Sequence, residues 1–122
     1  MKTHKDLDVW REAIKLSKGI YLLTQRYPKE EVFGLVSQMR RAAVSVASNI
    51  AEGAARSGNR EFIKFLHIAA GSASELDTQL EISKEIGFIS PGEINATQDS
   101  VAKVSRMLQG LIRSIKRRTP GG

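Results

Sequence analysis

Two groups of residues in this sequence have the types and spacing to do chemistry. The first is Arg40, Arg41, Ser45, Ser48, Asn49, Glu52 and Arg56. Arg41, Ser45, Ser48 and Glu52 recur at steps of four, three and four, so on a helix they share one face. Adjacent guanidinium groups can meet phosphate oxygens or a second subunit through charge-assisted hydrogen bonds, with Asn49 and Glu52 orienting them. A plainer arrangement also satisfies the set: serines and an asparagine bond one another between helices, and Glu52 pairs with Arg56 one turn on. The second group is Lys103, Arg106, Arg113, Lys116, Arg117 and Arg118, with no acid after residue 99. The chain carries 19 Lys+Arg against 13 Asp+Glu, a net +6, and this last segment holds the whole excess. One or two cations would complement the negative end of a C-terminal helix. Six without a carboxylate suggest a polyanionic partner.

Other chemistries lack their residues. The two histidines are His4 and His67, preceded at three residues by Met1 and Lys64, so neither completes the Glu-x-x-His motif of di-iron bundles. His67, one past Leu66, is better explained as solvated or hydrogen-bonded than as a ligand. There is no cysteine, which removes disulfides and thiolate metal sites and fits a reducing cytoplasm. No phosphate loop, dinucleotide fingerprint or nucleophile elbow is present. The expectation is therefore a non-enzymatic protein with no metal and no cofactor. The opening Met1-Lys2-Thr3-His4-Lys5-Asp6 has no apolar region of a secretory signal, and nothing approaches the roughly 18–20 apolar residues of a membrane span.

The elements that would position these groups are helices. The apolar pattern predicts one domain over residues 1–122, with helices at about 6–26, 31–55, 60–86 and 91–117. In the first, Leu7, Trp10, Ile14 and Tyr21 form one stripe, with Trp10 as a core anchor. Val9, Ala13, Leu16, Ile20 and Leu23 form a second, about 120° away. A core needs about half of the combined arc, so the excess predicts a subunit contact, with Val9, Leu16, Ile20 and Leu23 left open in a monomer. Pro28 ends this helix. The second has a core stripe of Leu35, Met39, Ala43, Val46 and Ile50 among many small residues. Ser57-Gly58-Asn59 reads as a turn with Asn59 as a cap. The third carries a seam of Phe62, Leu66, Ala69, Ala73, Leu76 and Leu80, and its small block at 69–74 would pair with 42–48. Gly87 stops it. Ser90-Pro91-Gly92-Glu93 reads as a capping box opening the fourth, whose core stripe is Ile94, Thr97, Val101, Val104, Leu108, Leu111 and Ile115. Thr119-Pro120-Gly121-Gly122 should fray. Short connectors give an all-α, antiparallel up-down-up-down four-helix bundle.

The run Gln38-Met39-Arg40-Arg41-Ala42-Ala43-Val44-Ser45-Val46-Ala47-Ser48-Asn49-Ile50-Ala51-Glu52-Gly53 resembles the signature of a bacterial four-helix-bundle family, the one encoded by intervening sequences in 23S rRNA genes. Leu7-Asp8-Val9-Trp10, Glu61-Phe62-x-x-Phe65-Leu66, Ser74-Glu75-Leu76 with Gln79-Leu80-Glu81, and Gly87-Phe88-Ile89-Ser90 match as well. The likeness spans roughly residues 5–115; Ala47 departs from it, standing where many relatives carry proline, and should leave the second helix straighter. The resemblance implies protomers assembled into a ring-shaped homopentamer. It also implies similarity to the accessory protein of diversity-generating retroelements, a basic pentameric barrel that works with RNA and a reverse transcriptase. It carries over no catalytic residue.

The sequence thus leads to an oligomeric nucleic-acid-binding protein, RNA favoured, gripping backbone rather than reading bases. The expected contacts are Arg40, Arg41, Lys103, Arg106, Arg113, Lys116, Arg117 and Arg118, with Ser45, Ser48, Asn49 and Glu52 as the signature polar cluster. The alternative is an oligomeric scaffold for another protein, without nucleic acid.

Overall fold

The computed structural model describes residues 3–118. The fraying anticipated for Thr119–Gly122, and the first two residues of the leader argument, lie outside them. The described chain forms four helices, α1 (Asp8–Thr24), α2 (Leu35–Ala55), α3 (Asn59–Ile86) and α4 (Pro91–Arg118), and no strand. Single 3₁₀ turns precede α1 at His4–Asp6 and α2 at Lys29–Glu31.

Local chemistry sets these boundaries. Thr3 and Asp6 close a capping box, with Lys5 N donating to Thr3 Oγ1 at 3.1 Å and Thr3 N to Asp6 Oδ2 at 3.1 Å. Leu7 is extended, so α1 starts two residues later than the apolar pattern suggests. Pro28 turns the chain out of α1. The second helix begins at Leu35 rather than near 31, because Glu31 folds forward and accepts from Leu35 N at 3.3 Å. Gly58 has φ +95 and occupies the cap position itself, so Asn59 is the first helical residue of α3 and not its cap. Gly87 closes α3 at φ +90, with the amides of Gly87 and Phe88 both donating to Ser83 O. At the start of α4, Glu93 N donates to Ser90 Oγ at 3.4 Å.

Each helix packs on two others: α1 on α2 and α4, α3 on α2 and α4. The backbones of the diagonal pairs α1–α3 and α2–α4 do not approach closely. Twenty-five apolar side chains form one core, including Ile20, Met39, Ile50, Leu66, Leu76, Leu80, Ile94, Leu108 and Ile115. Each large aliphatic chain so buried contributes about 1.5–3 kcal/mol against exposure. The third-helix seam from Leu66 to Leu80 is fully buried, and Phe62 is half-buried at its end.

Two expectations need correction. Val9, Leu16, Ile20 and Leu23 are not open in the monomer; all are buried in the protomer's own core. Two stripes about 120° apart cannot both lie wholly in one core, and α2 with α4 covers the Val9–Leu23 stripe. The other stripe divides: Ile14 is 44% and Tyr21 42% exposed, while Leu7 and Trp10 are half-buried and pack against the core, the Trp10 ring edge-on to His4. In α4, Ile112 is buried where Leu111 was expected; Leu111 and Thr97 are half-buried.

The α2–α3 crossing is the tightest. Ser45 Oγ and Ser72 Oγ lie 2.8 Å apart, which brings the two small-residue blocks together as their positions suggest. A Cβ on Gly53 would stand 2.8 Å from Phe65 Cβ. Ala47 is buried, and α2 runs through it unbroken.

Candidate nucleic-acid interface

The polar cluster on α2 divides into two parts. Asn49 Nδ2 donates to Ser45 O at 2.8 Å and to Ser45 Oγ at 2.9 Å, and Ser45 meets Ser72 on α3. Glu52 pairs with Arg56 at 2.9 Å, and the Arg56 guanidinium lies 5.0 Å from the centre of the Phe65 ring. These residues hold α2 to α3 and to themselves. They do not orient Arg40 and Arg41, which corrects that part of the sequence-based reading; Ser48 is exposed. The reason is the helical wheel, which turns Ser45 and Asn49 toward α3 and Arg40 toward α1.

Arg40 is positioned by α1. Its Nε donates to Thr24 Oγ1 at 3.0 Å and its Nη2 to Tyr21 O at 3.4 Å. Its guanidinium stacks 4.5 Å above the Tyr21 ring. Thr24 is itself fixed, donating to Ile20 O at 2.7 Å. Beside this stack runs a groove of about 580 Å³ lined by Tyr21, Val32, Phe33, Val36, Ser37, Arg40, Arg41, Val44 and Ser45. Phe33, next to the glycine that starts α2, is 97% exposed. Arg41 is exposed and also lines a smaller depression with Gln38, Ala42, Ser45 and Glu75.

The cations of α4 form a separate surface. Arg106, Arg113 and Arg117 fall within about 40° of one another on the helical wheel and are exposed. Lys116 and Arg118 flank them on opposite sides. Lys103 is partly spent, since its Nζ lies 3.4 Å from Glu12 Oε1 on α1, an acid that also pairs with Lys15 at 3.6 Å. The absence of acids in the last segment did not reveal this, because the carboxylate comes from the other end of the chain. Arg118 donates to Ser114 O at 3.3 Å. At this end of the bundle Arg118 and Arg56 line one cavity of about 490 Å³ with Leu7, Asn59, Phe62 and Leu111.

Because α2 and α4 are diagonal, Arg40 and Arg41 do not join the α4 row within one protomer. Tyr21 and Phe33 were not among the sequence candidates. Phe33 could have been singled out as a large aromatic at a predicted helix start, outside every core stripe. The shifted ionisations lie mostly elsewhere. Glu93 is held below the usual carboxylate range, first by its hydrogen bond from Arg26, and Arg26 is raised in return. Gln98 does the same for Glu81, and burial pushes the Tyr27 phenol up. Among the described residues no group of three His, Asp or Glu side chains converges as a metal site. No described helix is long and apolar enough to cross a membrane.

The α2 run that carries both the arginine pair and the small-residue seam lies inside a wider match. Residues 5–110 match the family described as 23S rRNA-intervening sequence protein. The chain belongs to that family. A solved structure from Bacteroides thetaiotaomicron VPI-5482, described as a protein with unknown function from the S23 ribosomal protein family, is similar to it. That structure is 22% identical, with a TM-score of 0.80, covering 86% of this chain and 95% of the other. At that identity the likeness establishes the four-helix fold. No curated protein matches the chain. In this member of the intervening-sequence family, the matched region contains the arginine pair, the α2–α3 seam and the first two cations of α4, but not Arg113–Arg118.

Proposed function

We propose that the chain is a non-enzymatic, cytoplasmic, oligomeric protein that binds nucleic acid, RNA in preference, by contacts to the phosphate backbone. The observation that carries this reading is the outward row Arg106, Arg113 and Arg117 with Lys116 beside it. Among the described residues, no ion pair engages any of the four. Unpaired guanidinium groups in register along a rigid helix suit a line of phosphates.

The bundle is read as antiparallel, up-down-up-down. Cross-helix contacts support this, since residue numbers fall on one helix as they rise on its neighbour. Ser17 meets Ala43 and Thr24 meets Arg40; Ser45 meets Ser72 and Met39 meets Ser83; Glu81 meets Gln98 and Lys84 meets Asn95. Self-association is supported by apolar side chains left open to water: Ile14 and Leu22 on α1, and Ile68, Ile82 and Ile86 along α3. The family resemblance favours a ring of five, which would multiply a +6 protomer to about +30. The exposed apolar side chains also favour the second reading, a scaffold that docks another protein.

Changing Arg113, Lys116, Arg117 and Arg118 together to glutamine tests the α4 surface. RNA affinity should fall, the slope of log affinity against log salt should shrink by up to about 3–4 units, and helicity should be kept. Unchanged affinity and slope would remove this surface from the argument. A parent protein that binds no nucleic acid at any salt would leave the scaffold reading.

A further inference from the structure

We infer that the groove between α1 and the start of α2 takes an unpaired nucleobase of a single-stranded nucleic acid, stacked on Phe33 and the Arg40–Tyr21 layer, with the adjoining phosphate on Arg41. This assignment rests on the nucleic-acid reading above and adds to it a second site that contacts bases. Single-strand binding needs flat π surfaces beside cations. The α4 row has the cations without the rings. The groove has both.

Phe33 presents its ring almost wholly to water, the most exposed large hydrophobic side chain described. It is anchored at its base, where Gly34 N donates to Glu31 O at 3.0 Å and Leu35 N to Glu31 Oε1 at 3.3 Å. The second platform is built in advance. Arg40 spends Nε and Nη2 on Thr24 and Tyr21, which fixes its plane over the Tyr21 ring. A guanidinium held over a ring in this way serves stacking better than gripping. Arg41 has the complementary role. It is exposed, no ion pair among the described residues engages it, and it lines the same groove.

The polar complement fits a nucleotide. Ser37 supplies a hydroxyl to the lining, and no carboxylate lines the groove. Glu75 lines the neighbouring depression together with Arg41, and among the described residues no ion pair joins the two, which leaves Arg41 for an anion. A volume near 580 Å³ lies within the roughly 300–1,000 Å³ of small-ligand sites, room for a base and its sugar. A duplex hides the faces of its bases, so this site selects unpaired strands.

The test is fluorescence anisotropy at fixed salt with a fluorescein-labelled single-stranded RNA of about 15 nucleotides and with its duplex. Phe33→Leu keeps an apolar side chain and removes the π face. It should weaken single-strand binding about 5- to 150-fold and leave duplex binding and the salt slope unchanged. Arg41→Gln should weaken binding and lower the single-strand slope by about 0.7. Parent-like single-strand affinity in Phe33→Leu overturns the site while the α4 reading stands. Intact RNA affinity with an altered sedimentation coefficient in either variant also overturns it, since the groove would then hold a second copy. A parent that binds no nucleic acid overturns both. Because Phe33 packs on so little, its variant keeps the parent fold, checked by circular dichroism.

Discussion

Gly53→Ala is the sharpest probe of the α2–α3 seam. The new Cβ would lie 2.8 Å from Phe65 Cβ, 3.1 Å from Phe62 Cδ1 and 3.2 Å from Phe62 O. Carbon pairs settle at about 3.5–4.0 Å, so the first contact is short by roughly 0.7–1.2 Å. Its partner is the stem of a side chain and the third is backbone, so neither can rotate away; the two helices must part. Overpacking of this kind costs about 1–3 kcal/mol. Replacing a helical glycine returns about 0.5–1 kcal/mol through lower chain entropy. The net is centred on a loss of about 1.2 kcal/mol, or a Tm drop of about 5 °C at this size. Gly71→Ala is the control. Gly71 is exposed within α3 with nothing within 4 Å of its would-be Cβ, so alanine there should raise stability by about 0.5–1 kcal/mol. Thermal melts at one protomer concentration, held fixed because assembly would shift Tm, give the two signs directly. Equal or higher Tm for Gly53→Ala would refute the close approach.

Ala43 and Ala73 are fully buried, so Ala43→Leu or Ala73→Leu should cost about 1–3 kcal/mol in urea melts; two parent-like midpoints would show that the seam is loose there. The Arg26–Glu93 pair joins the end of α1 to the start of α4, with Arg26 Nη2 donating to Glu93 Oε1 at 3.1 Å. Since the folded Glu93 carboxyl sits below its ordinary value of 4.5, its contribution is complete above that pH and is lost as pH falls through the lower, folded value. Melts from about pH 6 to about pH 3 should therefore show a steeper acid loss in the parent than in Glu93→Gln, and parallel curves would contradict the pairing.

The sequence was most legible where one physical rule decided the outcome. Gly87 and Pro91 mark the α3–α4 junction because positive φ and a missing amide admit few residues. The Leu66–Leu80 seam was legible because its spacing has one solution. The start of α2 was not, since Glu31 caps it from within a turn that carries no periodic signal. The two stripes of α1 were both visible, but deciding which faces the core requires the partner helices. The site was legible as residue types and not as contacts. Arg40 was a candidate from its neighbours on α2, whereas Thr24 and Tyr21, which hold it, come from sixteen and nineteen residues earlier. Lys103 looked unopposed until Glu12 came from α1 to meet it.

The diagonal placement of α2 and α4 gives each protomer two basic faces that look away from each other. A molecule with one such face coats a long polyanion; a molecule with two cross-links it. On the proposed nucleic-acid reading, a strand seated on the α4 row would leave Arg41 of α2 free to catch another strand, so valency as well as affinity would shape the mixture. On that reading, near charge balance many chains and many strands would join into one network and the solution would cloud, whereas an excess of either component would give every molecule partners of its own and clear it.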